Sequence, residues 1–209
     1  DWLYVYSTGW ADRGGAYPIR IAPAAERTSW TLAGAVLRRG RYPDWYGGHG
    51  SFWAPEVHRV QDRYVCYFST RDADRRFHIG AAVSSTPDGP FKPLPQPLVS
   101  NPDVGLIDAT YFQDPISSRS FILWKEDAND FDPPRPTGIF IQELEPDGLR
   151  VKGEWKCLLV NDQPWEGVLI EAPTLIYRKG WYYLFFSGNV YSDDRYGVGV
   201  ARSRDVLGP

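Results

Sequence analysis

Glu171 stands inside the apolar run Gly167-Val168-Leu169-Ile170-Glu171-Ala172-Pro173-Thr174-Leu175-Ile176. A carboxylate in such a run is costly unless it meets water or carries a task. Two other runs are interrupted in a comparable way, Trp53-Ala54-Pro55-Glu56 and Leu106-Ile107-Asp108-Ala109-Thr110. All three contain an x-Ala step, with x being Trp53, Asp108 and Glu171, at intervals of roughly sixty residues. If the steps are equivalent, Asp108 and Glu171 face each other across a common channel beside an aromatic ring. That is equipment for cleaving a glycosidic bond. One carboxyl donates a proton, another carboxylate handles water, and the ring supports the sugar. Burial and the charge of Asp108 are then expected to raise the pKa of Glu171 and keep it protonated. The plainer alternative is a carboxylate bonded within a turn, which a second one at a repeat position makes less economical.

The elements that must position these residues also repeat. Each interrupted run precedes an aromatic strand: Arg63-Tyr64-Val65-Cys66-Tyr67-Phe68-Ser69, Ser120-Phe121-Ile122-Leu123-Trp124 and Trp181-Tyr182-Tyr183-Leu184-Phe185-Phe186-Ser187. Ser7, Ser69 and Ser187 close aromatic strands, and Lys125 fills the corresponding place in the third unit. A small-residue strand follows, as in His78-Ile79-Gly80-Ala81-Ala82-Val83-Ser84 and Gly197-Val198-Gly199-Val200-Ala201-Arg202-Ser203. A turn then leads to a last strand, around Trp30-Thr31-Leu32, Pro93-Leu94-Pro95 and Trp155-Lys156-Cys157-Leu158-Leu159-Val160. Four antiparallel strands recurring in one order predict an all-β fold, a β-propeller. A β-sandwich is the competing all-β reading, but its strands need not recur as a four-strand unit. The 209 residues hold about three and a half such units. The first lacks its inner strand and the last its outer one. Residues 1–209 are therefore expected to be part of one catalytic propeller domain, with the first inner strand and final blade outside the sequence.

Composition narrows the partners. The formal net charge of −3 offers no basic surface for nucleic acid or anionic membrane. No apolar run is long enough to span a bilayer. Aromatics make up 15% of the chain, an excess suited to stacking on flat sugar or base faces. The chain opens directly in a strand, at Asp1-Trp2-Leu3-Tyr4-Val5-Tyr6, which suggests a truncated or mature fragment. Cys66 and Cys157 are expected to be buried free thiols and leave the redox compartment open. His49 and His58 lack companions at ligand spacing, so no transition-metal site is expected. The acidic stretch 126–132 lacks the ordered pattern of a calcium loop and reads as solvated.

The motifs together resemble glycoside hydrolase family 43. The likeness rests on Trp53-Ala54-Pro55-Glu56, Ile107-Asp108-Ala109, Trp165-Glu166-Gly167 and Ile170-Glu171-Ala172-Pro173. It extends to the Tyr182–Ser187 strand, to Asn189 and to Gly197–Ser203, and so covers nearly the whole chain. The resemblance implies a five-bladed propeller that inverts configuration while cleaving α-L-arabinofuranosides or β-D-xylosides. It maps the general acid to Glu171, the carboxylate that positions and tunes it to Asp108, and the ring flooring the sugar site to Trp53. It places the water-activating Asp upstream of Asp1 and a fifth-blade His beyond Pro209. No redox or organic cofactor is implied. The partner is an arabinan- or xylan-type carbohydrate, and secretion follows from the resemblance alone.

Further substrate contacts are expected from Glu56, which alternatively pairs with His58 or Arg59, and from Asn189. The loop aromatics Trp45, Tyr46, Trp165 and Tyr191 either form sugar subsites or pack on the blades. Two other functions remain open at this level: a glycan-binding propeller without hydrolysis, and a propeller glycosidase acting on another sugar.

Overall fold

The computed structural model describes residues 1–11, 14–128, 131–133 and 135–208. Fifteen strands dominate it, gathered into four antiparallel sheets. By internal contacts the chain divides into two compact units, Asp1–Ser100 and Asn101–Pro209.

The first unit holds two sheets. In one, β3 (Gly15–Pro23) is central, with β1 (Trp2–Tyr6) and the short β2 (Trp10–Ala11) along one edge and β4 (Thr31–Arg38) along the other. The other runs in chain order: β5 (Phe52–Val60), β6 (Arg63–Arg71), β7 (Phe77–Ser84) and β8 (Lys92–Pro93). A proline ends β8, where an outer strand needs no further ladder donor. The core of this unit is aromatic, with Tyr17, Phe52 and Phe68 fully buried. Burying each such ring contributes about 1.5–3 kcal/mol relative to leaving it in water.

The second unit repeats the plan. β9 (Leu106–Gln113), β10 (Ser120–Glu126), β11 (Gly138–Leu144) and β12 (Val151–Val160) form a four-stranded sheet in chain order. β13 (Ile170–Arg178), β14 (Trp181–Gly188) and β15 (Gly197–Ser203) form a three-stranded one. Phe121, Leu123, Ile139 and Ile141 pack with Ile170, Leu175, Leu184 and Phe186 between the two. Strand order in the β5–β8, β9–β12 and β13–β15 sheets therefore follows the repeat expected from the sequence. Both cysteines are free, but only Cys66 is buried. Cys157 lies on the outer strand β12 and is exposed, because that strand is open to water along most of its length.

Each inner strand carries a β-bulge near its start. The pairing shifts between Trp53 and Glu56, and between Glu171 and Thr174. It shifts too in β9, opposite Leu123 and Lys125. One residue in each bulge has left-handed backbone: Ala54 (φ 46°), Asp108 (φ 58°) and Ala172 (φ 53°). The structural equivalents are thus Ala54, Asp108 and Ala172, preceded by Trp53, Ile107 and Glu171. The x-Ala alignment was off by one residue in β9, because alternation of apolar residues carries no mark for a bulge. The closing residues do align: Ser69 pairs Trp53, Ser187 pairs Glu171, and Lys125 pairs Ile107.

Candidate active site

Glu171 is fixed by its neighbours' main chain. On one side, the Thr137 hydroxyl accepts the N–H of Ile170 at 2.7 Å. On the other, the N–H of Ala172 donates to Asp108 Oδ2 at 2.9 Å. A bulge withdraws an N–H from the strand ladder, so that donor needs another acceptor. The same solution appears in the first unit, where Thr8 Oγ1 accepts the N–H of Ala54 at 3.0 Å. Left-handed backbone at an alanine costs on the order of 1–3 kcal/mol. A bond from that N–H to a carboxylate contributes about 1.5–3 kcal/mol and offsets it.

The Glu171 side chain is 17% exposed and meets two donors. The Tyr196 hydroxyl donates to Oε1 at 2.8 Å, and Lys125 Nζ stands 3.6 Å from Oε2. Lys125 is 1% exposed and lies 3.4 Å from Asp127, itself 8% exposed. Three carboxylates, one ammonium and one phenol therefore share a small region of the second unit. Burial lifts the Asp108 carboxyl to about 6; the Ala172 N–H opposes this, the Glu171 charge adds to it, Lys125 opposes it and Asp127 adds again. The sequence reading did not expect this rise on Asp108, which comes from its burial and from the nearby Glu171 charge. Burial also raises the Tyr196 phenol, which keeps its hydroxyl protonated and able to donate.

Asp108 and Glu171 are thus joined through one backbone amide rather than aimed at each other over open space. In the first unit, Trp53 is 38% exposed, packs on Phe77 at 4.2 Å and has the Arg71 guanidinium 5.8 Å from its ring. Glu56 pairs with His58 on the same face of β5. Trp45 stacks on Phe68 at 6.5 Å and meets His78 edge-on.

Trp165 lies in a 3-10 turn (Pro164–Glu166), packs on Phe186 at 5.8 Å and leaves 43% of its surface exposed. Asn189 is buried, and its Oδ1 accepts the N–H of Val190 at 2.9 Å. Its own N–H donates to Glu166 O and Leu169 O. Glu166 is buried too, accepting the N–H groups of Asp162 and Gln163. Asn189 and Glu166 therefore fasten the turn that leads into β13.

The sequence reading missed Tyr196, Lys125 and Asp127 as neighbours of Glu171. Asp127 turns inward to Lys125, which corrects the reading of its loop as solvated; Asn129 and Asp130 of that loop lie outside the described residues. The available signal was the repeat itself, since Lys125 replaces the serine of two sister strands.

Repeating antiparallel sheets of three or four strands, with Asp108 and Glu171 at two successive inner bulges, define a β-propeller of the glycosidase type. The profile of Glycosyl hydrolases family 43 matches residues 3–209, and the chain belongs to that family. A thermostable family-43 glycoside hydrolase is similar over 100% of this chain and 67% of its own, with a TM-score of 0.85 and 30% identity. The chain is 26% identical to the β-D-galactofuranosidase xynD of Aspergillus niger, over 99% of this chain. It is also 26% identical to xylosidase/arabinosidase 43B of Humicola insolens, over 92% of this chain. It spans 58% and 35% of these two relatives' lengths. The fold is the five-bladed β-propeller, of which the chain carries part.

Proposed function

We propose that this chain is part of an inverting glycosidase that cleaves arabinofuranosyl or xylosyl bonds of plant polysaccharides. Residues 1–209 belong to its catalytic propeller. Glu171 is the general acid. Its proton passes to the glycosidic oxygen as the bond to the sugar breaks, and the leaving group departs as an alcohol. Asp108 positions Glu171 through the Ala172 amide. Inversion needs a second carboxylate roughly 6.5–9.5 Å from the acid, to activate water on the opposite face of the sugar. That base is not assigned to any of residues 1–209. Trp53, with an exposed face, serves as a sugar platform, and Trp165 as a further sugar contact.

The observation that carries this reading is Glu171 itself. Its backbone is fastened on both sides, and its two oxygens face Tyr196 and Lys125. The xylosidase/arabinosidase relative supports the choice of sugars, and polymers too large to enter a cell support action outside it. Among the described residues, no helix is long and apolar enough to cross a membrane.

The test uses the full-length protein on aryl arabinofuranosides and xylosides, and on arabinan and xylan. Glu171→Gln is expected to lose about 10²–10⁴-fold in kcat/KM on unactivated substrates. Activated aryl glycosides should lose far less, because their leaving groups need little protonation. Equal loss on both classes removes Glu171 from the acid role. Binding of arabinan or xylan with no turnover by the unaltered protein points to a glycan-binding propeller instead.

A further inference from the structure

We propose that Lys125, shared with Asp127, is a positioning residue that sets the acid strength of Glu171. This rests on the reading of Glu171 as the general acid.

Lys125 departs from the repeat at an informative place. The two sister strands put Ser69 and Ser187 there, each opposite the residue that precedes the left-handed bulge position. A lysine in a strand interior, 1% exposed, is retained only where opposite charge compensates its lost hydration. Two carboxylates do so here, Asp127 at 3.4 Å and Glu171 at 3.6 Å. Asp127 follows β10 closely in sequence, whereas Glu171 comes from another sheet. The lysine therefore links the acid to the blade that also carries Asp108.

The titratable groups around Glu171 come from three neighbouring segments, while β14 sets the uncharged Ser187 opposite it. Asp108 is on β9, Lys125 on β10 with Asp127 just after it, and Tyr196 just before β15. When Glu171 gives up its proton, a carboxylate forms with Tyr196 at Oε1 and Lys125 at Oε2. Both interactions strengthen as negative charge develops, so they favour the transition state over the protonated ground state. An unshared ammonium would hold Glu171 ionised and empty it of its proton. Asp127 draws on the same ammonium and moderates that effect, while the nearby Asp108 charge opposes it. The arrangement divides one positive charge between a structural carboxylate and a working one.

The test is a ¹³C NMR titration of the Glu171 side-chain carboxyl, alongside pH profiles of kcat/KM, both on the full-length enzyme. Lys125→Met is expected to raise the Glu171 midpoint by about one unit or more, and Lys125→Arg to return most of the way. Asp127→Asn is expected to move it the other way, downward, because the ammonium is no longer shared. The basic limb of the pH profile should follow in the same directions, with Lys125→Met losing most on poor leaving groups. A core-filling lysine would destabilise when replaced but would not produce opposite shifts in the two variants. Should Lys125→Met fail to fold, Asp127→Asn decides alone: a fall supports the proposal, and no change or a rise overturns it. An unmoved midpoint in both variants overturns it as well. If Glu171→Gln keeps the basic limb, the acid reading itself has failed and this proposal falls with it. If Glu171→Gln abolishes that limb while the Lys125 variants leave it in place, only the role of Lys125 is lost.

Discussion

The main-chain N–H of Ala172 donates to Asp108 Oδ2 across 2.9 Å, so the carboxylate of one sheet completes the bulge of the next. That bond joins strain, charge and positioning. Ala172 has left-handed backbone, and the residue before it is the candidate acid. Asp108 is itself left-handed, a conformation aspartate tolerates better than most residues. Rotating Asp108 away would free the Ala172 amide and loosen Glu171 together.

Replacing Asp108 by Asn should stabilise the fold at neutral pH. In the unfolded chain this carboxyl loses its proton at about 3.9, and in the fold at about 6. A raised folded value means that the stabilisation is complete below about pH 4 and is lost as pH rises to about 6. Asn keeps a carbonyl for the Ala172 N–H and cannot ionise. The variant should gain about 1–2 kcal/mol at pH 7.5 and nothing at pH 3.5, a figure reduced for the carboxyl's partial exposure to water. Urea melts at the two pH values measure this, while activity of the full-length enzyme should fall.

Tyr196→Phe removes the hydroxyl that donates to Glu171 Oε1. A hydrogen bond to a charged group contributes about 1.5–3 kcal/mol, so kcat/KM of the full-length enzyme should drop roughly 10–100-fold. The loss should fall mainly on substrates with poor leaving groups. Thermal stability should change little, since Tyr196 is 38% exposed. An unchanged rate would show that this phenol does not act on the acid.

Gly199 tests how Trp165 is seated. A Cβ there would lie 2.6 Å from the Trp165 ring and 2.7 Å from Phe186. Gly199→Ala should therefore cost about 1–3 kcal/mol through overpacking. Gly197→Ala on the same strand meets nothing closer than 3.7 Å and serves as the control. Equal melting shifts in the two variants would mean that Trp165 packing is not the reason for a glycine at position 199.

Much of the fold is written locally. Runs such as Tyr64–Ser69 and Tyr182–Ser187 mark aromatic strands, the glycine- and alanine-rich runs mark the strands beside them, and their order recurs. Hydrophobic alternation and turn residues act over a few positions, so they can be read directly from sequence. Glu171 was legible for the same reason, as a charge within an apolar run. The bulge register was not: a single left-handed residue leaves no trace in the apolar pattern, and the Asp108 alignment slipped by one.

What the sequence alone determined is the strand repeat, the all-β class and the candidacy of Glu171 and Asp108. Which groups surround Glu171 was decided by tertiary structure. Lys125, Asp127 and Tyr196 are ordinary residues in their own segments, and only the packing of β10, β13 and the turn before β15 makes them neighbours. The same packing lifted the proton affinity of Asp108, because burial and like charge depend on distance in space and not along the chain.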